Sequence, residues 1–277
     1  MEKDKLILID VDGTLTDASY QITDSGITRK IMEMQKQGWT IGLNSDTPFS
    51  RLEARARALH LNGLLICELG NSIHQINPTQ LIWEERHKES FAELNERFQE
   101  AAKKSFPEII RRENDLKFSL ERFRNELLPH GSEIWILHHA SRRHSFAFQL
   151  IKKTPRGDIF VDRLLIRLAE CAQRLFLEIF HKEPLADVNH KYGVCILHHK
   201  DSRKSKAAAA VFAILGYEKI YMIGDSMSDF LNHPCVVQCA VGNASIEYKR
   251  ECSIVAKNHL ASGVIECLGQ IKEMKDE

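Results

Sequence analysis

The sequence predicts an α/β fold in which a parallel sheet carries helices on both faces and is interrupted by an inserted α+β segment. In the first 84 residues, and again from about residue 201, short apolar runs alternate with helical stretches. Strands separated by helical crossovers favour a parallel sheet. The charged stretch over about 85–200 instead combines helical patterns with neighbouring strand-like runs. We therefore predict a core of residues 1–84 and 201–277 and an inserted domain of residues 85–200.

The first part of the core opens on the apolar run Leu6-Ile7-Leu8-Ile9, which predicts a buried strand. Thr23 is placed to cap the next helix, and Pro48 occupies the favoured first turn of the helix after it. The elements predicted here are a strand at 6–9, a helix ending near 38, a strand at 39–43, a helix at about 48–60 and a strand at 64–67.

The insert and the second part of the core differ in pattern. The insert is expected to hold charged helices over about 85–130, strands at 134–137 and 146–151, a helix over about 158–180 and a strand near 193–198. The second part of the core is expected to hold a helix at 203–215, strands at 219–223 and 236–240, and a final helix at about 262–275.

The composition argues against several classes of partner. The 277 residues contain 38 Lys and Arg against 38 Asp and Glu, so no net charge points to a nucleic acid or an anionic membrane. No apolar run approaches the ~18 residues that a membrane span needs, and the charged N-terminus lacks the layout of a signal peptide. Seven scattered cysteines without a CxxC pair predict buried, reduced thiols. We expect a cytoplasmic protein without nucleic-acid or membrane partners.

Two carboxylates follow the first strand directly. Asp10 and Asp12 are separated by one residue and are followed by Gly13 and Thr14. In an extended segment, side chains at i and i+2 lie on the same side, so both carboxylates can reach one site. One could serve as an oxygen nucleophile and metal ligand, and the other as a proton donor and acceptor. An acidic turn after a strand is the alternative interpretation.

Further polar residues follow other predicted strands or begin a predicted helix. Ser45 follows the strand at 39–43, and Asp225 and Asp229 follow the strand at 219–223. Lys204 lies at the start of a helical stretch that closes at Gly216. Ligands of parallel α/β sheets bind beyond the carboxyl ends of the strands, which is where the three strand-end motifs fall.

The order of these motifs resembles that of the haloacid dehalogenase (HAD) superfamily of phosphohydrolases. The order is a double aspartate, a hydroxyl, a lysine and a second acidic pair. The insert lies between the second and third motifs, where Cof-like proteins with a type-II cap carry their cap domain. The resemblance implies a Rossmann-like core with an α+β cap, and the activity of a sugar-phosphate or phosphoglycolate phosphatase.

The resemblance also implies roles for the motif residues. Asp10 would attack phosphorus and form an aspartyl-phosphate, and Asp12 would protonate the leaving oxygen and later activate a water. Ser45 and Lys204 would bind the phosphate.

The same resemblance implies a metal site. Carboxylates that meet at one point repel one another without a cation, and oxygen ligands of this kind suit Mg²⁺. Asp10, Asp225 and Asp229 would supply carboxylates, and Asp12 would supply its main-chain carbonyl.

The chain departs from the family pattern at several points. Relatives often place Gly-Arg after the hydroxyl of the second motif, where this chain has Asp46-Thr47. Ser45 has a second interpretation, as the cap of the helix near Pro48, and Asp46 could cap that helix equally well. Lys206 competes with Lys204 for the role of the phosphate-binding lysine. Leu69 replaces the asparagine of a family turn, and we expect Glu68–Asn71 to form a hairpin turn.

A basic turn in the insert, Arg142-Arg143-His144, has two interpretations. We expect a solvated hairpin tip, and contact with a substrate anion or hydroxyl is the alternative.

The sequence thus favours a Mg²⁺-dependent hydrolase of a small phosphorylated metabolite. Two alternatives stay open. The first is a phosphomutase of the phosphomannomutase type, since those enzymes resemble this chain over Asp10–Thr16 and also carry Ser-Asp in the second motif. The second is a non-catalytic binding protein on the same scaffold. The sequence does not determine the physiological substrate or the oligomeric state.

Overall fold

The computed structural model describes residues 6–17, 20–85, 91–109, 111–114, 133–139, 141–154, 157–159, 162–190 and 193–274. These residues fall into two compact units. The first contains the described residues up to Glu85 and from Arg203 onward, and the second contains those between.

The secondary structure is numbered in chain order. The strands are β1 (Leu6–Ile9), β2 (Thr40–Asn44), β3 (Leu64–Cys67), β4 (Ser72–Gln75), β5 (Gln80–Glu84), β6 (Arg111–Asn114), β7 (Glu133–His138), β8 (Ser145–Thr154), β9 (Gly157–Ile159), β10 (Pro184–Asn189), β11 (Val194–His199), β12 (Ile220–Gly224), β13 (Val236–Ala240) and β14 (Ile254–Val255). The helices are α1 (Gly26–Lys36), α2 (Phe49–Ala58), α3 (Phe91–Ser105), α4 (Asp162–Phe180), α5 (Lys204–Ala210), α6 (Ile246–Arg250) and α7 (Leu260–Glu273).

The first unit is built on an eight-stranded sheet in the order β14-β13-β12-β1-β2-β3-β4-β5. Neighbouring strands from β14 to β3 are parallel, whereas β3, β4 and β5 form antiparallel pairs. The prediction of a parallel α/β core is therefore confirmed. The sequence analysis did not predict the β4–β5 hairpin at its edge, since β5 is exposed or half-buried along its length and lacks the buried apolar run of the core strands.

The central strand β1 is covered on both faces, and its residues are fully buried. Leu6 and Leu8 lie in a cluster with α5, whereas Ile7 and Ile9 lie in a larger cluster with α1 and α7. Side chains that alternate along a strand point to opposite faces. Because both faces are covered, β1 is continuously apolar rather than alternating, as strands of parallel sheets usually are.

The start of α1 corrects one prediction. The helix begins at Gly26 and its N-cap residue is Ser25, so Thr23 does not cap it. Instead the Gly26 N–H donates to Asp24 Oδ1 at 2.8 Å. The Asp24 carboxylate, rather than the Thr23 hydroxyl, thus accepts the hydrogen bond from the first N–H group of the helix.

Pro48 also lies one position earlier than expected. It is the extended N-cap residue of α2 rather than part of the first turn. At the other end of the unit, the helix predicted over 203–215 divides into α5 and a π-helical segment, Val211–Leu215, and it ends at Gly216 in the left-handed conformation. None of the described helices is long and apolar enough to cross a membrane.

The second unit contains a six-stranded sheet in which β10, β11, β8, β7 and β6 are neighbours and β9 pairs with β8. All pairs are antiparallel except β6 with β7. Helices α3 and α4 pack on one face through apolar residues such as Phe98 and Phe176, against Phe148 and Leu150 of β8. This confirms the predicted α+β insert.

The helical prediction over 85–130 is wrong in its extent. Helix α3 covers Phe91–Ser105 only, and Arg111–Asn114 form a strand. Pro107 follows the helix closely, and a proline disfavours helical geometry in the residue before it. The predicted residues 115–132 lie outside the described part of the chain.

The basic turn of the insert is not simply a solvated tip. Arg143 is exposed, but His144 is buried and Arg142 is half-buried. Arg142 Nη1 donates to Ser145 Oγ at 2.9 Å. The prediction of a solvated tip therefore fails for two of the three residues, because the turn folds back on the start of β8.

The turn between β3 and β4 brings two distant parts of the first unit together. Glu68, Leu69 and Gly70 all have positive φ angles, of 47°, 58° and 87°. Gly70 faces the carbonyl oxygen of Arg203 and the Cα of Lys204 so closely that a Cβ would overlap the carbonyl. The expected hairpin turn thus exists, and its glycine packs against the start of α5.

We expect Gly70→Ala to destabilise the protein, because the new Cβ collides with backbone and the φ angle is unfavourable for alanine. The loss in free energy of unfolding should be about 2 kcal/mol or more, measured by urea denaturation. Gly269→Ala in α7 is the matched control, since its Cβ would meet only the Lys30 Nζ at 3.9 Å. That change should stabilise the protein by ~0.5–1 kcal/mol. Equal effects of the two changes would contradict this account of the turn.

Candidate active site

The candidate residues gather at the carboxyl ends of three adjacent strands. Asp10 follows β1, Ser45 follows β2 and Asp225 follows β12, and these strands are neighbours in the order β12-β1-β2. The Asp10 N–H donates to the Ile223 carbonyl at 2.9 Å, which extends the β1–β12 ladder up to the site. Lys204 begins α5 and reaches the same place. The parallel register of the sheet therefore brings together residues that are far apart in sequence.

A buried cation joins two of the aspartates. Lys204 Nζ lies 2.6 Å from Asp10 Oδ1 and 2.5 Å from Asp229 Oδ1. All three residues are buried, and Asp229 is completely so. A charge in such a place is costly unless it is paired. Lys204 is thus held in position by two carboxylates.

Asp229 uses both of its carboxylate oxygens within the protein. Oδ1 accepts from Lys204, while Oδ2 accepts the N–H groups of Asp225 at 2.9 Å and Ser226 at 3.1 Å. The bond from the Ser226 N–H is part of a capping box on a short 3₁₀ helix, Met227–Asp229. Gly224 makes room for this carboxylate, because a Cβ there would overlap it. Asp229 therefore orders both the lysine and the loop that carries Asp225.

The three carboxylates form a group that suits a hard cation. Oxygens of Asp10, Asp225 and Asp229 all lie within 4.8 Å of one another. Carboxylate oxygens are the ligands that Mg²⁺ prefers. The bonds already made by Asp229 leave Asp10 and Asp225 as the two carboxylates best placed to bind a metal directly.

The environment shifts the pKa values of these groups. Burial raises the pKa of Asp10, the Asp229 carboxylate raises it further and Lys204 opposes both. Burial and then Asp229 raise the pKa of Asp225 to about 6. Desolvation also raises the pKa of Asp12. Burial by itself would lower the pKa of Lys204, but Asp10 and Asp229 more than offset this, so that its pKa is raised. The site therefore combines a permanent cation with carboxylates that bind protons readily.

Asp12 differs from its neighbours in being accessible. The residue as a whole is exposed, although surrounding protein desolvates its carboxyl group, and the Thr16 hydroxyl lies 3.4 Å from Asp12 Oδ1. An accessible carboxylate with a raised pKa can exchange protons with a bound molecule and with solvent.

Ser45 is buried in the loop after β2. Its hydroxyl lies 3.0 Å from the Thr47 hydroxyl and accepts the Thr47 N–H at 3.1 Å. The cap of α2 is Pro48, with no side-chain hydrogen bond at that position. The alternative in which Ser45 caps this helix is therefore wrong.

The structure separates the two candidate lysines. Lys206 Nζ pairs with Glu85 Oε2 at 2.6 Å, and its side chain is 37% exposed against 4% for Lys204. Only Lys204 of the two contacts the aspartates.

The sequence analysis did not predict that Asp229 anchors Lys204 and the loop that carries Asp225. Its signal was the spacing Ser226-x-x-Asp229, a pattern typical of a capping box. Asn243 has a similar structural role. Its Nδ2 donates to the Gly13 carbonyl at 2.7 Å and its Oδ1 accepts the Leu260 N–H at 2.8 Å. It therefore ties the loop after Asp12 to the start of α7.

Known proteins share a sequence family and a fold with this chain. The sequence model of the haloacid dehalogenase-like hydrolases matches residues 7–268. A haloacid dehalogenase-like hydrolase from Bacteroides thetaiotaomicron has a TM-score of 0.67 at 16% identity, covering 97% of this chain and 99% of that one. A protein of Thermoplasma acidophilum has a TM-score of 0.61 at 20% identity, covering 98% and 97%. A sugar phosphatase of HAD subclass IIB has a TM-score of 0.57 at 14% identity, covering 97% and 99%. Likeness to structures at these identities shows a shared fold. No curated protein sequence matches the chain.

We expect Lys204→Met to destabilise the protein by ~3–5 kcal/mol at pH 7, because it leaves buried carboxylates without their cation. The loss should be smaller at pH 5, where protonation relieves their repulsion. Lys206→Met is the matched control, and it should change the free energy of unfolding by less than ~1 kcal/mol, since its ion pair is partly exposed. Urea denaturation at both pH values measures the effect. A similar loss for the two variants would contradict the central place of Lys204.

Proposed function

Since the chain belongs to the haloacid dehalogenase-like hydrolases, we propose that it is a Mg²⁺-dependent phosphomonoester hydrolase acting through an aspartyl-phosphate. The observation that carries the proposal is the pairing of Lys204 with Asp10 inside a group of three carboxylates. Phosphoryl transfer needs charge neutralisation, an in-line nucleophile and a proton for the leaving oxygen. Each requirement has a candidate residue at this site.

Asp10 is the proposed nucleophile. Its oxygen attacks phosphorus, the bond from phosphorus to the ester oxygen breaks, and an aspartyl-phosphate forms. Lys204, which lies 2.6 Å from Asp10, holds the carboxylate in place and offers its charge to the phosphoryl oxygens. The Ser45 hydroxyl would bind another of these oxygens.

Asp12 is the proposed acid and base. It gives its proton to the leaving oxygen, which departs as an alcohol. It then takes a proton from a water that attacks phosphorus, which releases inorganic phosphate and restores Asp10. The raised pKa of Asp12 supports the first of these tasks, since a carboxyl must hold a proton before it can donate it.

Asp10 and Asp225 would hold the Mg²⁺ with the main-chain carbonyl of Asp12, and Asp229 supports them from the loop. The ion would neutralise charge on the phosphoryl group. The carboxylate group fits such an ion because it places hard oxygen ligands within 4.8 Å of one another.

We assign this chemistry to residues 1–84 and 201–277, and selection of the substrate to residues 85–200. The substrate is proposed to be a small phosphorylated metabolite. Sugar phosphates are candidates because one structural neighbour is described as a sugar phosphatase. Phosphoglycolate-like acids are candidates on the family resemblance.

The proposal is tested by phosphate release from a panel of phosphorylated metabolites with Mg²⁺, using Asp10→Asn as the inactive control. We expect the wild type to release phosphate and Asp10→Asn to lose turnover while keeping its fold, since the variant lacks the attacking oxygen charge. Conversion of a hexose 1-phosphate to the 6-phosphate without free phosphate would indicate the mutase. Absence of both reactions would favour the non-catalytic alternative.

We expect Asp12→Asn to lower kcat/KM by ~10²–10⁴-fold for alkyl phosphates, because it removes proton transfer to the leaving oxygen. The loss should be smaller for p-nitrophenyl phosphate, whose leaving group needs little protonation. Steady-state kinetics on both kinds of ester measure this difference. Equal losses would contradict the general-acid role of Asp12.

Mg²⁺ should raise the melting temperature more at pH 7.5 than at pH 5. The pKa of Asp225 is about 6 in the folded protein and 3.8 for an ordinary Asp, so the metal-free protein loses stability as the pH rises through this range. At pH 5 protons compete with the metal, whereas at pH 7.5 the carboxylate is free to bind it. Thermal unfolding with Mg²⁺ or chelator measures the shift. In Asp225→Asn the pH dependence of the shift should shrink, and its persistence would exclude Asp225 as a ligand.

A further inference from the structure

The loop after β13, residues 241–245, contacts both of the loops that carry the acidic residues of the site. Asn243 Nδ2 donates to the carbonyl of Gly13, which follows Asp12, at 2.7 Å. The Ser245 N–H donates to the Asp225 carbonyl at 2.8 Å. Two acidic loops that are far apart in sequence are thus fixed to one short segment.

Gly13 connects the Asp12 turn to this segment and is held on both sides. Its φ angle is 85°, a conformation that glycine adopts freely. Its N–H donates to the Thr16 carbonyl at 3.1 Å, which fixes the peptide plane that it shares with Asp12. Its own carbonyl accepts the hydrogen bond from Asn243, which fixes the next peptide plane. Without this second bond, the permissive glycine leaves the turn free to change shape.

Gly13 also lies directly against the Asp225 carboxylate. A Cβ added to Gly13 would lie 2.5 Å from Asp225 Oδ2, so the two groups are in contact with no room for a side chain between them. Closely packed groups transmit small displacements to one another. A shift of the Gly13 peptide therefore changes the separation between the Asp12 turn and the Asp225 carboxylate.

The segment 241–245 is itself anchored away from the acidic loops. The Gly242 N–H donates to the Asn258 carbonyl at 2.7 Å, and Lys249 Nζ donates to the Gly242 carbonyl at 2.6 Å. Glu266 of α7 in turn accepts the N–H groups of Lys257 and Asn258. The segment is therefore held in place independently of its contacts at the site.

Asn243 is exposed, although both ends of its amide are engaged. Besides the bond to Gly13, its Oδ1 accepts the Leu260 N–H at 2.8 Å. Hydrogen bonds between exposed groups replace bonds to water and add little to stability. Leu260 has a φ angle of 52°, which is unfavourable for a residue with a side chain. Backbone strain of this kind persists where the surroundings hold it, and it is found most often at functional sites.

We propose that Asn243 is a positioning residue of the site, because its amide fixes the Gly13 carbonyl. In this way it sets the separation between the Asp12 main-chain carbonyl and the Asp225 carboxylate. The inference rests on the proposed function, in which these two groups hold Mg²⁺ together with Asp10. Mg²⁺ demands nearly ideal octahedral geometry, so a small displacement of one ligand weakens binding. Asn243 acts through the Gly13 peptide and touches neither metal nor substrate.

The first test measures Mg²⁺ binding without turnover. Isothermal titration calorimetry gives the Kd for Mg²⁺ of the wild type and of Asn243→Ala. We expect Asn243→Ala to bind Mg²⁺ about 3- to 10-fold more weakly, which is the effect of losing one directed hydrogen bond.

Asn62→Ala is the matched control. Asn62 is also exposed, and its amide joins the Ile41 N–H at 2.9 Å to the Trp39 carbonyl at 3.2 Å. These bonds lie at the start of β2, at the other end of the strand from Ser45. Both variants should lower the melting temperature of the metal-free protein by a similar ~2–4 °C. Only Asn243→Ala should weaken Mg²⁺ binding, and equal affinities in all three proteins would overturn the proposal.

A displaced Asp12 turn should also appear in the kinetics at saturating Mg²⁺. We expect Asn243→Ala to lower kcat about 3- to 10-fold more for alkyl phosphates than for p-nitrophenyl phosphate, since only the former need the proton from Asp12. KM should stay unchanged, because Asn243 does not bind the substrate. A raised KM with unchanged kcat would overturn the positioning role.

The two kinds of measurement keep this inference separate from the proposed function. Weaker Mg²⁺ binding by Asn243→Ala, with the control unchanged, supports the inference even if no metabolite releases phosphate. An active phosphatase in which Asn243→Ala changes neither Mg²⁺ affinity nor kcat would overturn the inference and leave the proposed function intact. Absence of Mg²⁺ binding by the wild type would overturn the inference as well.

Discussion

The contact of one buried ammonium group with two buried carboxylates organises the first unit of this protein. The three residues lie on different elements. Lys204 begins a helix, Asp10 follows a strand, and Asp229 lies in a 3₁₀ turn. Each charge is tolerated in the interior only because the others are present. The surrounding backbone supports these charges in two ways. Gly224 has no side chain that would overlap the Asp229 carboxylate, and two backbone N–H groups donate to that carboxylate.

The acidic residues around this contact have different roles. Asp229 has a structural role, since both of its oxygens accept hydrogen bonds within the protein. Asp10 pairs with Lys204 through its Oδ1 atom. Asp12 is exposed and Asp225 is half-buried. Four aspartates of identical chemistry thus make different contacts because their burial and their neighbours differ, and burial raises the pKa of three of them, Asp10, Asp12 and Asp225.

The sequence predicted the parallel core and the insert because apolar runs and strand-end motifs are local signals. It predicted which residues meet at the site because parallel strands present their carboxyl ends at one edge. Other features depended on contacts that no local pattern carries. Threonine is a common N-cap residue, so Thr23 was predicted to cap α1, but the N–H at the start of the helix donates to Asp24 instead. The charged helical pattern over 85–130 did not reveal the strand at Arg111–Asn114.

The position of β1 in the sheet has a consequence for synthesis of the chain. Its two neighbours are β2, which follows closely, and β12, which begins only at Ile220. On the ribosome, therefore, the strand Leu6–Ile9 keeps one edge open while the whole insert is translated. An apolar strand with an unpaired edge is prone to join other chains. The insert is a compact unit with its own sheet and core, so it can fold during this interval. The nascent core must meanwhile be shielded until β12 arrives, which makes the interval between the two halves the vulnerable stage in the production of this protein.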